Sequence, residues 1–186
     1  MPENALLETL PTAPIPPARV KPWVGLAVGA VVLLVLAVLL WPRRGSLELG
    51  MFQVSAKGAE HRLSGGAKLH AGDVIRFGLT ATRALQGYVV GLDSTGRVSL
   101  YVPSSNGPVT LEAGTAVSSQ DRATVDGAVA RERIVALACP AGVTLSDVVQ
   151  KATSALATAQ NDPAKVRVLL PECSEDVLMV EKMGAG

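Results

Sequence analysis

Aromatic side chains are scarce: two Trp, two Tyr and two Phe make up 3% of the 186 residues. A folded core therefore has to be built mainly from Val, Leu, Ile and Ala. An excess of one charge is also lacking. Seventeen Lys and Arg stand against 16 Asp and Glu, a formal net charge of +1, which argues against nucleic acid or a polyanionic substrate as partner. Histidine occurs twice, at His61 and His70. Neither lies in HExxH, HxH or another metal-binding spacing, and neither cysteine has a Cys or His nearby at zinc-ligand spacing, so no metal is expected. There is no GxSxG to mark a nucleophile. Ser64-Gly65-Gly66 lacks the Lys-Ser or Lys-Thr that would follow in a phosphate loop. Asp93, Asp121, Asp126 and Glu132 are scattered and read as solvated loop charges. The run Arg122…Arg131-Glu132-Arg133 is mixed in sign and reads as a solvated face. No catalytic residue, cofactor or metal site emerges, and the chain is not expected to be an enzyme.

One stretch lacks charge altogether. Pro22 and Pro42 bracket 19 residues, and residues 24–40 read VGLAVGAVVLLVLAVLL. As an α-helix the bracketed residues rise roughly 28 Å, close to the ~30 Å hydrocarbon thickness of a bilayer. Trp23 and Trp41 stand at the ends, where amphipathic rings prefer the interface. Arg19 and Lys21 precede the run and Arg43 and Arg44 follow it, placed to snorkel to headgroups. This predicts a single transmembrane helix over 23–41, with the lipid bilayer as a partner. A buried helix of a soluble protein and a cleaved signal peptide are the alternatives. Against cleavage, Trp41-Pro42-Arg43-Arg44 is no small-residue site. Two positive charges on each side leave the orientation undecided.

Residues 1–22 carry prolines at 11, 14, 16, 17 and 22 and read as a disordered, extended cytoplasmic tail. After Gly45 the periodicity changes to two. Leu47, Leu49 and Met51 share one strand face, as do Ile75, Phe77 and Leu79. Tyr88, Val90 and Leu92 alternate up one arm of a hairpin. Asp93-Ser94-Thr95-Gly96 supplies its turn, and Val98, Leu100 and Val102 return on one face until Pro103 stops the ladder. Ser104 to Gly107 form a polar loop, and Val109–Leu111 and Thr115–Val117 read as short edge strands. Arg133 to Cys139 is apolar on both faces and predicts a central strand covered on both sides. Leu145, Val148, Val149, Ala152, Ala155, Leu156 and Ala159 form one helical stripe, with Thr144 and Asp147 resembling a capping box. Val177 to Lys182 reads as a final strand. The fold class expected for 46–183 is mainly β, a β-sandwich-like antiparallel domain with one C-terminal α-helix.

Cys139 and Cys173 are either two buried thiols or a disulfide closing a loop of about 35 residues, which the chain-entropy model values at roughly 3–4 kcal/mol. A disulfide would place the domain in an oxidising compartment. Loops on a rigid sheet often carry function, so Tyr88 and Tyr101, with Ser104 and Asn106 of the polar loop, are the residues best placed to contact a partner. Packing within the sheet is the other role open to the two tyrosines.

Several pieces occur in a telling order: Leu47-Glu48-Leu49-Gly50-Met51-Phe52, then Leu69-His70-Ala71-Gly72-Asp73-Val74-Ile75-Arg76-Phe77, Gly87-Tyr88-Val89-Val90-Gly91-Leu92-Asp93, Gly96-Arg97-Val98-Ser99-Leu100-Tyr101-Val102-Pro103, and Arg131 to Leu137 with Cys139. This order, over residues 46 to about 182, resembles a bacterial β-domain family of unknown function that follows the membrane helix of anti-sigma-factor-like proteins. The resemblance implies a bacterial inner-membrane protein with a periplasmic domain for envelope sensing and a protein partner in the envelope or in signalling. It implies no catalytic residue. Such anti-sigma factors carry a zinc module before the helix, whereas residues 1–22 hold no His and no Cys. The expectation is therefore a membrane-anchored, non-catalytic binding domain without that module. The alternative is a structural or assembly subunit of an envelope complex.

Overall fold

The computed structural model describes residues 46–103, 108–167 and 169–184, without the side chains of Gln120 and Asp121. The tail 1–22, the apolar run 23–41 with Trp23 and Trp41, and Arg43, Arg44, Ser104 and Asn106 lie outside the described residues. No helix among the described residues is long and apolar enough to cross a membrane.

The fold is mainly β with one α-helix. Its strands are β1 (Leu47–Val54), β2 (Glu60–Leu63), β3 (Ala67–His70), β4 (Val74–Ala81), β5 (Leu85–Asp93), β6 (Val98–Val102), β7 (Val109–Leu111), β8 (Ala116–Thr124), β9 (Ala130–Cys139) and β10 (Ser174–Met183), and the helix is α1 (Leu145–Thr158). Four strands make one sheet in the order β2-β1-β4-β8, antiparallel throughout. Six make the other: β3-β10-β9-β5-β6, with β7 also on β5. That second sheet is mixed rather than antiparallel, because β3 runs parallel to β10, with Val180 opposite Ala67 and Met183 opposite His70.

Alternation assigns the two faces of the six-stranded sheet. Ile134, Ala136 and Ala138 of β9 join Leu49 and Met51 of β1 and Ile75, Phe77 and Leu79 of β4 in an inner core between the sheets. Val135, Leu137 and Cys139 point the other way, where they meet Val148, Ala152 and Leu156 of α1. Strand β9 is thus covered on both faces, which is why its sequence is a near-continuous apolar run.

Helix α1 begins where Thr144 and Asp147 bond reciprocally. Asp147 N–H donates to Thr144 Oγ1 at 3.2 Å, and Thr144 N–H donates to Asp147 Oδ2 at 2.9 Å. This satisfies two donors that a helix start would otherwise orphan. The β5–β6 turn closes as its composition demands: Asp93 Oδ1 accepts from the Thr95 and Arg97 amides, and Gly96 takes a φ of +90°.

Two elements depart from the simple period. Strand β8 extends to Thr124, through residues that read as a charged loop, and pairs with β4 across an irregularity between Arg76 and Gly78. In β6, Val102 pairs with Val89 and Leu100 with Val90, so Tyr101 is an extra, bulged residue. The bulge turns Tyr101 and Val102 together toward the inner core, while Val98 and Leu100 pack on the helix side. Val102 therefore does not share a face with Val98 and Leu100.

Replacing Thr144 by Ala removes the capping oxygen. A loss of about 1 kcal/mol is expected, read as a lower urea midpoint with an unchanged slope.

Candidate functional site

The inward alternation of three strands ends in charge. Asp93 follows Leu85, Gly87, Val89 and Gly91 along β5. Glu132 precedes Ile134, Ala136 and Ala138 on β9, and Lys182 follows Leu178 and Val180 on β10. All three sit at one end of the inter-sheet core, and none is more than 3% exposed. Asp126, from the β8–β9 loop, completes the group. Lys182 Nζ lies 2.9 Å from Asp126 Oδ1, 3.5 Å from Glu132 Oε2 and 3.8 Å from Asp93 Oδ2. Tyr101 donates to Glu132 Oε1 at 2.7 Å, its ring 5.2 Å from that of Phe77 on the facing sheet. Arg97 reaches Asp126 from outside at 2.9 Å.

Gly91 makes room for this group. A Cβ there would stand 1.9 Å from Glu132 Oε1 and 2.6 Å from Tyr101 Cε2. Asp93 spends its other oxygen on the turn, accepting from Thr95 and Arg97. The cluster joins four separate segments: the β5–β6 hairpin, the β8–β9 loop, the start of β9 and the end of β10.

Burial pushes the Glu132 carboxyl up, against the hydrogen bond from Tyr101 and the charge on Lys182. Asp126 is held down by the hydrogen bond from Lys182. Burial would lower Lys182, but the Asp126 hydrogen bond and the carboxylates of Glu132, Asp126 and Asp93 outweigh it, and its pKa rises. Burial and the neighbouring Glu132 charge raise the Tyr101 phenol above its ordinary range. An ammonium held this firmly, behind three carboxylates, is a structural cation. It is poorly suited to act as a base or nucleophile, which requires the neutral amine. Asp93 and Glu132 are correspondingly not solvated loop charges. The signal that would have found them is a charged residue on the apolar phase of a strand's alternation.

The remaining sequence candidates fall apart in space. Tyr88 has no exposure. Its ring packs against the helix-side core, and its hydroxyl donates to Val143 O at 2.7 Å, so it presents nothing to a partner. Tyr101 is half-buried and engaged by Glu132. His61 and His70 are exposed on β2 and β3, and among the described residues no group of three or more His, Cys, Asp or Glu could hold a metal ion. Cys139 and Cys173 are joined by a disulfide, 34 residues apart in sequence. The bond links the end of β9 to the residue before β10, across a loop that contains α1.

Beside α1 runs a groove of about 510 Å³, walled by the helix and by the segment that returns from it, with Lys151, Lys165 and Arg167 in its lining. Compared with protein-family models, with curated proteins and with solved structures, the chain finds no match.

Lys182→Met leaves Glu132 and Asp93 buried without their cation and should cost about 3–5 kcal/mol, and Gly91→Ala should cost on the order of 3 kcal/mol by forcing Glu132 and Tyr101 apart. Denaturant titration measures both. Tyr101 and Lys182 keep protons in the folded chain that the unfolded chain releases near its ordinary values of 10.0 and 10.5. The stability that these two groups contribute is therefore full below about pH 10 and is lost as pH rises beyond it. Tyr101→Phe should be less stable at pH 8 by about 1.5–3 kcal/mol and show a shallower alkaline decline. At acid pH the lowered Asp126 and the raised Glu132 act in opposite directions, so the alkaline limb is the diagnostic one.

Proposed function

We propose that this chain is a single-pass membrane-anchored protein that displays a non-catalytic β-domain outside the cytoplasm, in the periplasm of a bacterial envelope, for binding or sensing. The observation that carries this reading is the disulfide between Cys139 and Cys173 in a domain whose first strand starts at Leu47, six residues after Trp41. Disulfides persist in oxidising compartments, and the 19 uncharged residues before the domain match one bilayer crossing. Together they support an anchor before the domain and the oxidising side of the membrane for the domain itself. The tail 1–22 then lies in the cytoplasm and carries no zinc ligands. The likeness to the β-domain that follows the membrane helix in anti-sigma-factor-like proteins supports the same arrangement.

The disulfide helps such a domain survive outside the cell's folding machinery. Its closed loop contributes roughly 3–4 kcal/mol in the chain-entropy model, and it ties the helix-side layer to the central strand. Charges that are buried and paired within the fold leave contact with partners to the outer surfaces.

Topology reporters fused after Gly186 test the reading in bacterial cells. Alkaline phosphatase, which folds only where disulfides form, should be active there, and a fluorescent protein that matures only in the cytoplasm should be dark. A bright fluorescent fusion with an inactive phosphatase overturns the proposal. Thiol titration of the unreduced, unfolded chain should find no free thiol, and finding two would count equally against it.

A further inference from the structure

The groove beside α1 has an uncommon composition for a surface of a nearly neutral protein. Its lining holds three cationic side chains and no carboxylate. Lys165 has Asp162 at 3.2 Å outside the lining. Lys151 lies one turn beyond Asp147, whose carboxylate is committed to capping the helix at Thr144. Arg167 is exposed and has no ion-pair or hydrogen-bond partner among the described residues. The same lining holds the apolar side chains of Ala155 and Ala159 from the helix and Val166 and Leu169 from the returning segment, with the hydroxyls of Ser154 and Thr158. Cations beside apolar side chains suit a ligand with an anionic head and an apolar body. A volume of about 510 Å³ is the size of a small-molecule site and is short for a bound strand or helix of another protein.

The helix C-cap sets the backbone at the groove's end. Gln160 and Asn161 both take left-handed conformations, with φ of 55° and 57°. They follow the C-cap Ala159, where the Gln160 N–H donates to Ala157 O and the Asn161 N–H to Leu156 O, the paired bonds of a Schellman cap. Asn161 has a packing reason, since its side chain fills the space against Gly96, about 3.1 Å from where a Cβ would stand. The Gln160 side chain is exposed and lines the groove. The cap thus holds a hydrogen-bonding amide at the rim, at the position where glycine is the usual residue.

We propose that this groove binds the phosphate head of an anionic amphiphile, with Lys151, Lys165 and Arg167 facing the phosphate, Gln160 hydrogen-bonding at the rim and the apolar body lying on Ala155, Ala159, Val166 and Leu169. The ligand could be drawn from a bilayer or from free solution, since both present the same chemistry. The site deepens the binding role proposed above but does not rest on the domain's side of the membrane.

Calorimetric titration of the full chain in zwitterionic phosphatidylcholine nanodiscs tests it, with short-chain phosphatidylglycerol kept below its micelle concentration as probe. Saturable binding that weakens with salt is expected, with at least about a tenfold loss in the double variant K151E/R167E, since each basic residue near such a charge is worth about 1 kcal/mol. Both positions are exposed, and an unchanged urea midpoint in the variant establishes that it folds. Repeating the titration in nanodiscs containing phosphatidylglycerol separates the sources: loss of the signal means that the site already draws from the bilayer, and persistence means that it takes a free amphiphile. Either result supports the site. Equal binding by wild type and K151E/R167E overturns it, as does no binding, or binding of inorganic phosphate as tight as that of the amphiphile. A Glu-rich peptide binding where the amphiphile does not would assign the groove to a protein partner instead. None of these outcomes depends on the topology reporters, so the two proposals fail separately.

Discussion

A charge on the inner face of a sheet that packs against a second sheet is cut off from water, and that constraint organises this domain. The six-stranded sheet has the four-stranded sheet on one side and α1 on the other. Any ionisable group on the inner face of its central strands therefore has to be partnered or shed its charge. Lys182 is the partner. It sits among Asp93, Asp126 and Glu132 where the inner core ends, and the neighbouring features follow from accommodating that group. Gly91 is bare because Glu132 and Tyr101 occupy the space of a side chain. The bulge in β6 brings Val102 inward beside Tyr101, whose hydroxyl gives Glu132 a donor.

The opposite end of the domain is closed by different means. There Asp176 accepts the Leu49 amide across the two sheets at 2.8 Å, and Ser46 and Thr82 bond each other through backbone and hydroxyl. Cys139 and Cys173 close the helix-side layer nearby, in register with the Ala138–Ser174 pair. Residue 46 enters at this end and the charge cluster lies at the other. Polar groups thus seal both ends of an aliphatic core that, with so few aromatic rings, has few side chains large enough to cap it alone.

Much of this was legible in the sequence, because the strongest signals are periodic. The alternation of β1 and β4, the doubly apolar β9, the stripe and cap of α1 and the Asp-Ser-Thr-Gly turn each state a local preference that the fold honours. What the sequence hid is nonlocal. Nothing in Ala67–His70 announces a parallel partnership with β10, which depends on strands more than 100 residues apart meeting at a sheet edge. Nor does Ser99-Leu100-Tyr101-Val102 announce a bulge, since an extra residue leaves the composition unchanged and alters only the phase. The charges were present but misread. Asp93, Glu132 and Lys182 continue the inward phase of their strands, yet taken singly each resembles the polar end of a strand entering a loop. Only pairing across β5, β9 and β10 shows that they meet. Their failure to fit an apolar alternation was the clue, as deviations from local rules often are.

The network's main role is better argued from register than from stability. Apolar residues of similar volume could replace a buried ionic cluster at little cost and even with gain, so its presence is not explained by stability alone. A slip of β10 by one residue against β9 moves every side chain to the other face. In an apolar strand the penalty is modest here, because both faces of this sheet are covered and both accept Val or Leu. With the cluster in place the penalty is large. The slip would turn Lys182 to the outer face, where Glu181 and Arg131 are exposed, and bring Glu181 inward beside Glu132 and Asp93, burying three carboxylates without a cation. The doubly covered sheet, whose hydrophobic pattern specifies register weakly, thus has its last strand set by charge. That strand also carries β3, whose parallel pairing begins at Val180, so the edge of the sheet inherits its alignment from Lys182.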